Sequence, residues 1–221
     1  MKKSLIILLL LFLCNSIVHA QFDRKPFSFN AEINVPKSIS NKAFVKTFSG
    51  NLDWKVSTTY HIKNKFEIGL IYKRTNFKAA YNDATLNTAI KTKFIINGFG
   101  ANFLFTYFDN AYFYAQIGTA TYYCKALYTH VTLNNLDIPN PKLSLIAFEP
   151  MVNIIYKSSD YMDIGFNIST TILSQAFNPS LPHLDEGGKV DYSNAKPSNS
   201  KTAFISFGFQ LKWYLQFEKV E

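Results

Sequence analysis

Cysteine, charge and long apolar runs are scarce in this chain, and each shortage removes a class of protein. Two cysteines in 221 residues, Cys14 and Cys124, exclude a disulfide-stapled scaffold and a four-thiolate zinc site. The 9 glycines form neither a phosphate-cradling loop nor a dinucleotide fingerprint. The 23 lysines and arginines exceed the 15 acidic residues, a formal +8, but they are scattered rather than striped, so no nucleic-acid partner is implied. Beyond residue 20 no stretch reaches the ~18 apolar residues of a spanning helix. A membrane location would need strands.

Aromatic residues are abundant instead, with Phe 21 and Tyr 13. A composition 48% hydrophobic and 17% charged argues against a disordered chain. At the start, Met1-Lys2-Lys3 is positive, Leu5 to Cys14 is apolar, and Val18-His19-Ala20 is a small-residue cleavage site before Gln21. Residues 1–20 therefore read as a cleaved secretory signal peptide, and residues 21–221 as one domain. A lipoprotein reading at Cys14 would need a small residue where Leu13 stands. Removing the peptide leaves 21 − 15 = +6 and one thiol, Cys124, which reads as a small strand residue.

From residue 27 onward apolar residues recur at every second position, the period of a strand. The clearest run is the last, where Ala203, Ile205, Phe207, Phe209, Leu211, Trp213, Leu215 and Phe217 share one face. Comparable patterns occupy 27–36, 51–62, 66–75, 93–107, 112–127, 143–156 and 161–175, with Leu104 an exception and Pro150 expected to mark a bulge. The links 63–65, 108–111 and 157–160 are short, whereas 37–50, 77–92, 128–142 and 176–201 are long. Long and short links alternate, which places the termini at one end and four long loops at the other. The expected fold is all-β: an eight-stranded antiparallel up-and-down transmembrane β-barrel.

The polar face carries Glu32, Asp53, Lys55, His61, Glu67, Lys73, Glu149, Asp163 and Lys212, read as an interior network that fills a narrow lumen. Phe27, Tyr60, Phe66, Phe105, Tyr107, Phe113, Tyr156, Trp213 and Phe217 lie on the apolar face near the short-turn end, as an interfacial girdle would. The segments run to roughly 10–16 residues, longer than the 5–6 usual for soluble strands. The alternative is a soluble, lipocalin-like carrier whose apolar face lines a ligand cavity.

On these residues the chain resembles the small eight-stranded outer-membrane barrels of the OmpA/OmpX type in Gram-negative bacteria, over 27–217. Ser206, Gly208, Leu211 and Trp213 also resemble the C-terminal insertion signal of that class, although Glu218-Lys219-Val220-Glu221 follows Phe217. Size and loop plan are similar to PorT-like barrels linked to secretion. The resemblance implies an outer-membrane protein with periplasmic termini and extracellular loops. Its partners would be outer-membrane lipid, the barrel-assembly machinery during biogenesis, and an envelope or surface protein.

His61, His130 and His183 match no local metal spacing. His61 reads as an interior hydrogen-bonding group. His130 with Asp137, and Ser180 with His183, Asp185 and Glu186, are unspecific approaches to a catalytic or cation site, so no catalysis, metal or cofactor is expected. Lys93 and Lys125, at the long-loop ends of their strands, are placed to meet anionic headgroups. The loop 176–201 is long, polar and Pro/Gly-punctuated, as binding loops often are. The expected role is structural or surface-interacting, with a transport or secretion accessory as the alternative.

Overall fold

The computed structural model describes residues 26–62, 65–83, 88–132, 141–177 and 201–215. Eight strands follow in chain order: β1 (Phe27–Ser38), β2 (Ser49–Ile62), β3 (Phe66–Asp83), β4 (Thr88–Asp109), β5 (Phe113–Thr132), β6 (Lys142–Lys157), β7 (Met162–Leu173) and β8 (Ala203–Leu215). One short helix, α1 (Lys42–Thr47), lies between β1 and β2. Every strand pairs antiparallel with its chain neighbours, and β1 pairs with β8 to close the barrel. Closure leaves no unpaired edge.

Strand parity assigns each side chain to one face. On β1, Ser28, Asn30, Glu32 and Asn34 are buried in the lumen, while Phe29, Ile33 and Val35 point outward. Ile33 is 65% exposed and Phe209 70%, whereas Lys55 and Glu149 are almost completely buried. The apolar face is the outer one, so the carrier reading, which needs that face inside, does not fit.

Several expectations are corrected. The segment 77–92 is no long loop: β3 and β4 pair without a break from Lys78 opposite Lys93 to Asp83 opposite Thr88. The pattern inverts at this height. Phe77 and Phe94 point inward and Lys78 and Lys93 outward, so tracking apolar residues loses the strand. Strict alternation of long and short links fails with it, and the strands reach 22 residues in β4. Within 37–50 lies α1, and β5 continues through 128–132. Pro150 causes no bulge: it sits opposite Thr119 in an unshifted β5–β6 register, while toward β7 the pairing skips Glu149 and Pro150 and resumes at Met151 in the same register. Register shifts occur instead at Gly50/Leu52 and Thr106/Phe108. Leu104 points inward and is buried, which explains its exception.

Gly208 lets β8 lie close against β1 at the closing seam. A Cβ there would lie 2.0 Å from the Ile33 carbonyl oxygen and 2.5 Å from the Asn34 side-chain oxygen. Gly208→Ala is expected to push β8 away from β1 and to reduce the heat-shifted folded band after refolding into detergent without assembly factors. Wild-type refolding of the variant would show that close approach is not what the position requires.

Candidate functional site: the barrel interior

Register alone creates a problem that a distant strand solves. β1 sets Glu32 opposite Lys55, but β2 and β3 set Lys55 directly opposite Lys73. Two adjacent ammonium groups repel. Glu149 reaches between them from β6: one oxygen lies 2.6 Å from Lys55 Nζ, and the other accepts from Lys73. Glu32 adds a second contact to Lys55 at 2.8 Å, and Asp53 one to Lys73 at 3.4 Å. Thr75 donates to Asp53 (2.9 Å), Thr171 donates to Glu149 (2.9 Å), and Lys55 donates to Ser169 (3.3 Å). The cluster thus ties β1, β2, β3, β6 and β7 across the lumen.

A second cluster lies nearer the short turns. Lys212 Nζ is 2.7 Å from both oxygens of Glu67, and Gln116 Nε2 donates to Glu67 at 2.6 Å. His61 stands opposite Glu67 in register, with its Nδ1 3.5 Å from the carboxylate and its Nε2 3.1 Å from Ser28 Oγ. Asp163 accepts from Tyr114 (3.0 Å) and Tyr214 (2.5 Å). The expected interior residues are therefore all buried, but in two groups: Glu32, Asp53, Lys55, Lys73 and Glu149 above, and His61, Glu67, Asp163 and Lys212 below. Buried charges persist only with such pairing, because desolvation of each ion costs several kcal/mol.

Toward the long-loop end the lumen is filled by rings. Asn41, at φ 65°, caps α1 by accepting from the Phe44 N–H at 3.2 Å and donates to the Phe177 carbonyl at 3.3 Å. Phe44 is completely buried, with ring centroids of Phe77, Phe48, Phe177 and Phe94 at 5.1–5.8 Å. Phe94 stacks on Tyr128 at 4.5 Å, and Phe77 meets Phe204 at 5.1 Å. The sequence reading missed this plug. Its signal was present for two of them: Phe77 and Phe204 sit on the parity that carries Lys73 and Lys212 lower down their strands.

On the outside, Phe27–Tyr60, Phe66–Phe105 and Phe113–Tyr156 are register partners, with ring centroids at 5.0–5.2 Å. Trp213 packs 6.0 Å from Phe29, and Tyr107 is exposed. Of the insertion-signal residues, Ser206 and Gly208 face the lumen and Leu211 and Trp213 face outward. Cys124 is buried on the inner face. Phe217, Asp137, Ser180, His183, Asp185, Glu186, residues 1–20 and most of 176–201 lie outside the described residues, as does the His130 side chain. Among the described residues no three His, Cys, Asp or Glu side chains converge as a metal-holding group.

No protein-family model matches the chain, and no curated protein matches it. Solved structures do. Neisserial surface protein A (NspA) superposes with a TM-score of 0.51 at 15% identity, covering 86% of this chain and 97% of that one. The fold is that of the small eight-stranded barrels of the OmpA/OmpX type. The outer membrane protein OprG from Pseudomonas aeruginosa matches at TM-score 0.45 and 10% identity, over 87% of this chain and 98% of that one. Ail, the attachment invasion locus protein of Yersinia pestis, matches at 0.41 and 12%, over 86% and 99%.

Glu149 is the residue whose loss separates the two lysines' charges from their compensation. Glu149→Gln is expected to cost about 3–5 kcal/mol, since it breaks a buried pair and leaves both cations. The readout is the urea midpoint of the refolded protein in detergent, and adding Lys73→Met is expected to recover part of the loss. An unchanged midpoint for the single variant would show that Glu32 and Asp53 suffice.

Proposed function

We propose that the chain is an integral outer-membrane barrel with a sealed lumen, a non-catalytic envelope component that acts through its long-loop end. The observation that carries this reading is the inversion of faces. Ile33, Leu70, Phe99, Tyr123, Ile146 and Phe209 are exposed outside while paired lysines and carboxylates are buried inside. A water-soluble barrel would gain by the opposite arrangement.

The height of the outer apolar band agrees. Ten residues separate Phe113 from Tyr123 on β5, and ten separate Ile146 from Tyr156 on β6. At ~3.4 Å per residue and a tilt of roughly 40°, each span rises about 26 Å, close to the ~25 Å apolar band of membrane barrels. The aromatic pairs at the short-turn end then lie at one headgroup layer. In this orientation the termini are periplasmic and the long loops extracellular. The ion clusters and the ring plug span the lumen at different heights, which supports a structural or surface-interacting role over passage of solutes. The loop 176–201 is the segment we assign to partner binding.

Two measurements test the reading. Val152 faces outward on β6 near mid-band, so Val152→Lys is expected to lose about 2–4 kcal/mol of folding stability in bilayers. A soluble barrel would tolerate that change, and indifference to it, or recovery of the wild type without detergent, would overturn the membrane assignment. In planar bilayers the refolded protein is expected to give no conductance steps; steady openings would favour the transport accessory instead.

A further inference from the structure

The exposed charges are sorted by height. Among the carboxylates whose side chains are described, Glu32, Asp53, Glu67, Glu149 and Asp163 are buried inside, and Asp109 and Asp160 sit at the short-turn end. Toward the long loops the outer face carries exposed Lys78 on β3, Lys91 and Lys93 on β4, Lys125 on β5 and Lys142 on β6. None of these pairs with a carboxylate whose side chain is described.

Register gathers them on one wall. Lys78 stands directly opposite Lys93, and Lys91 lies two residues further along the same face of β4. The next row down is Asn76, Ile95, Leu127 and Lys142, and below it Arg74, Asn97, Lys125 and Ser144 are successive register partners across β3 to β6. Immediately beneath runs the row Tyr72, Phe99, Tyr123 and Ile146, of which Phe99, Tyr123 and Ile146 are more than half exposed. Like charges opposite one another on a sheet repel, so an arrangement of this kind calls for an anion between them. A band of rings under a cationic shelf fits an amphiphile with acyl chains below and phosphate above.

Resting on the membrane reading above, we infer that the β3–β6 wall binds a phosphate-bearing lipid of the outer leaflet. Lys78, Lys93 and Lys125 contact the headgroup phosphate, and Tyr72, Phe99 and Tyr123 contact the upper part of the chains. Strand parity is unchanged here, but the residue types exchange faces: Phe77 and Phe94 fill the inner positions while the lysines take the outer ones. The wall therefore leaves the hydrocarbon between Tyr123 and Lys125, where a headgroup begins.

The test is native mass spectrometry of the full chain released from mixed micelles of phosphatidic acid and phosphatidylcholine. The wild type is expected to retain phosphatidic acid with a preference of about tenfold or more, weakened by high salt. The triple variant K78Q/K93Q/K125Q is expected to lose that preference while keeping its heat-shifted band. The control K37Q/K42Q/K201Q removes equal charge elsewhere on the rim and is expected to keep it. Retention by the first variant, or equal loss by both, would overturn the site. Displacement of the lipid by millimolar inorganic phosphate would show an ion site rather than a lipid site. Failure of the wild type to insert into phosphatidylcholine vesicles would sink the membrane reading itself, a result separate from loss of lipid preference in an inserted barrel.

Discussion

A pleated strand can give only every second residue to the lumen, and closing the sheet makes that choice binding on all eight strands together. The closing ladder runs from Phe27 opposite Leu215 to Ser38 opposite Phe204. A slip of one residue in it would bring Ile33 and Val35 into the lumen and turn Glu32 and Asn34 to the outside. Everything else in the molecule is arranged within that constraint. Backbone groups are satisfied by the ladder, so the outer surface is free to be apolar. The inner surface must then dispose of every polar side chain that the alternation delivers.

Among the described residues the lumen does so chiefly by pairing charges across its walls. Adjacent registers place Lys55 beside Lys73, a pairing that is unfavourable taken alone. Glu149 from the far wall, with Glu32 and Asp53, converts it into a cross-braced ion cluster. The lower cluster around Glu67 and Lys212 repeats the device with tyrosines as additional donors and flanking rings. Above both, α1 folds into the mouth, and Phe44 and Phe48 replace polar filling with apolar packing. The barrel is thus braced by charge in one half and by ring contacts in the other. The two halves resist different perturbations: salt and polar solvents for the first, truncation of large side chains for the second.

The change from charged to aromatic filling coincides with a change outside, from apolar residues to lysines. Both changes follow from one shift in what surrounds the wall. Where the outside is apolar, the inside must accommodate the polar parity. Where the outside becomes wet and cationic, the inside can revert to an ordinary hydrophobic core. Inward Phe77 and outward Lys78 on β3 are adjacent in sequence and belong to this second regime, and the β3–β4 hairpin carries it furthest.

Much of this was legible in the chain. Strict alternation in 203–217 and 27–36 determined the strands, the parity of Glu32, Asp53, Lys55 and Lys212, and the up-and-down plan, because period-two patterning is a local property. The segment 77–92 was not legible, because Lys78, Lys91 and Lys93 break the apolar stripe although the backbone stays extended. Pro150 was misread because its missing N–H is met by a gap in the β6–β7 ladder at Glu149 and Pro150, not by an inserted residue. The aromatic plug was missed because Phe44 and Phe177 come from separate connections and meet Phe77, Phe94 and Phe204 only once the barrel closes. The sequence by itself determined which residues share a face. Only the tertiary structure decided which face is inside, that Glu149 stands between Lys55 and Lys73, and that the lysines of four strands share one wall. Those facts depend on register between segments far apart in the chain, and register is set by closure rather than by any local preference.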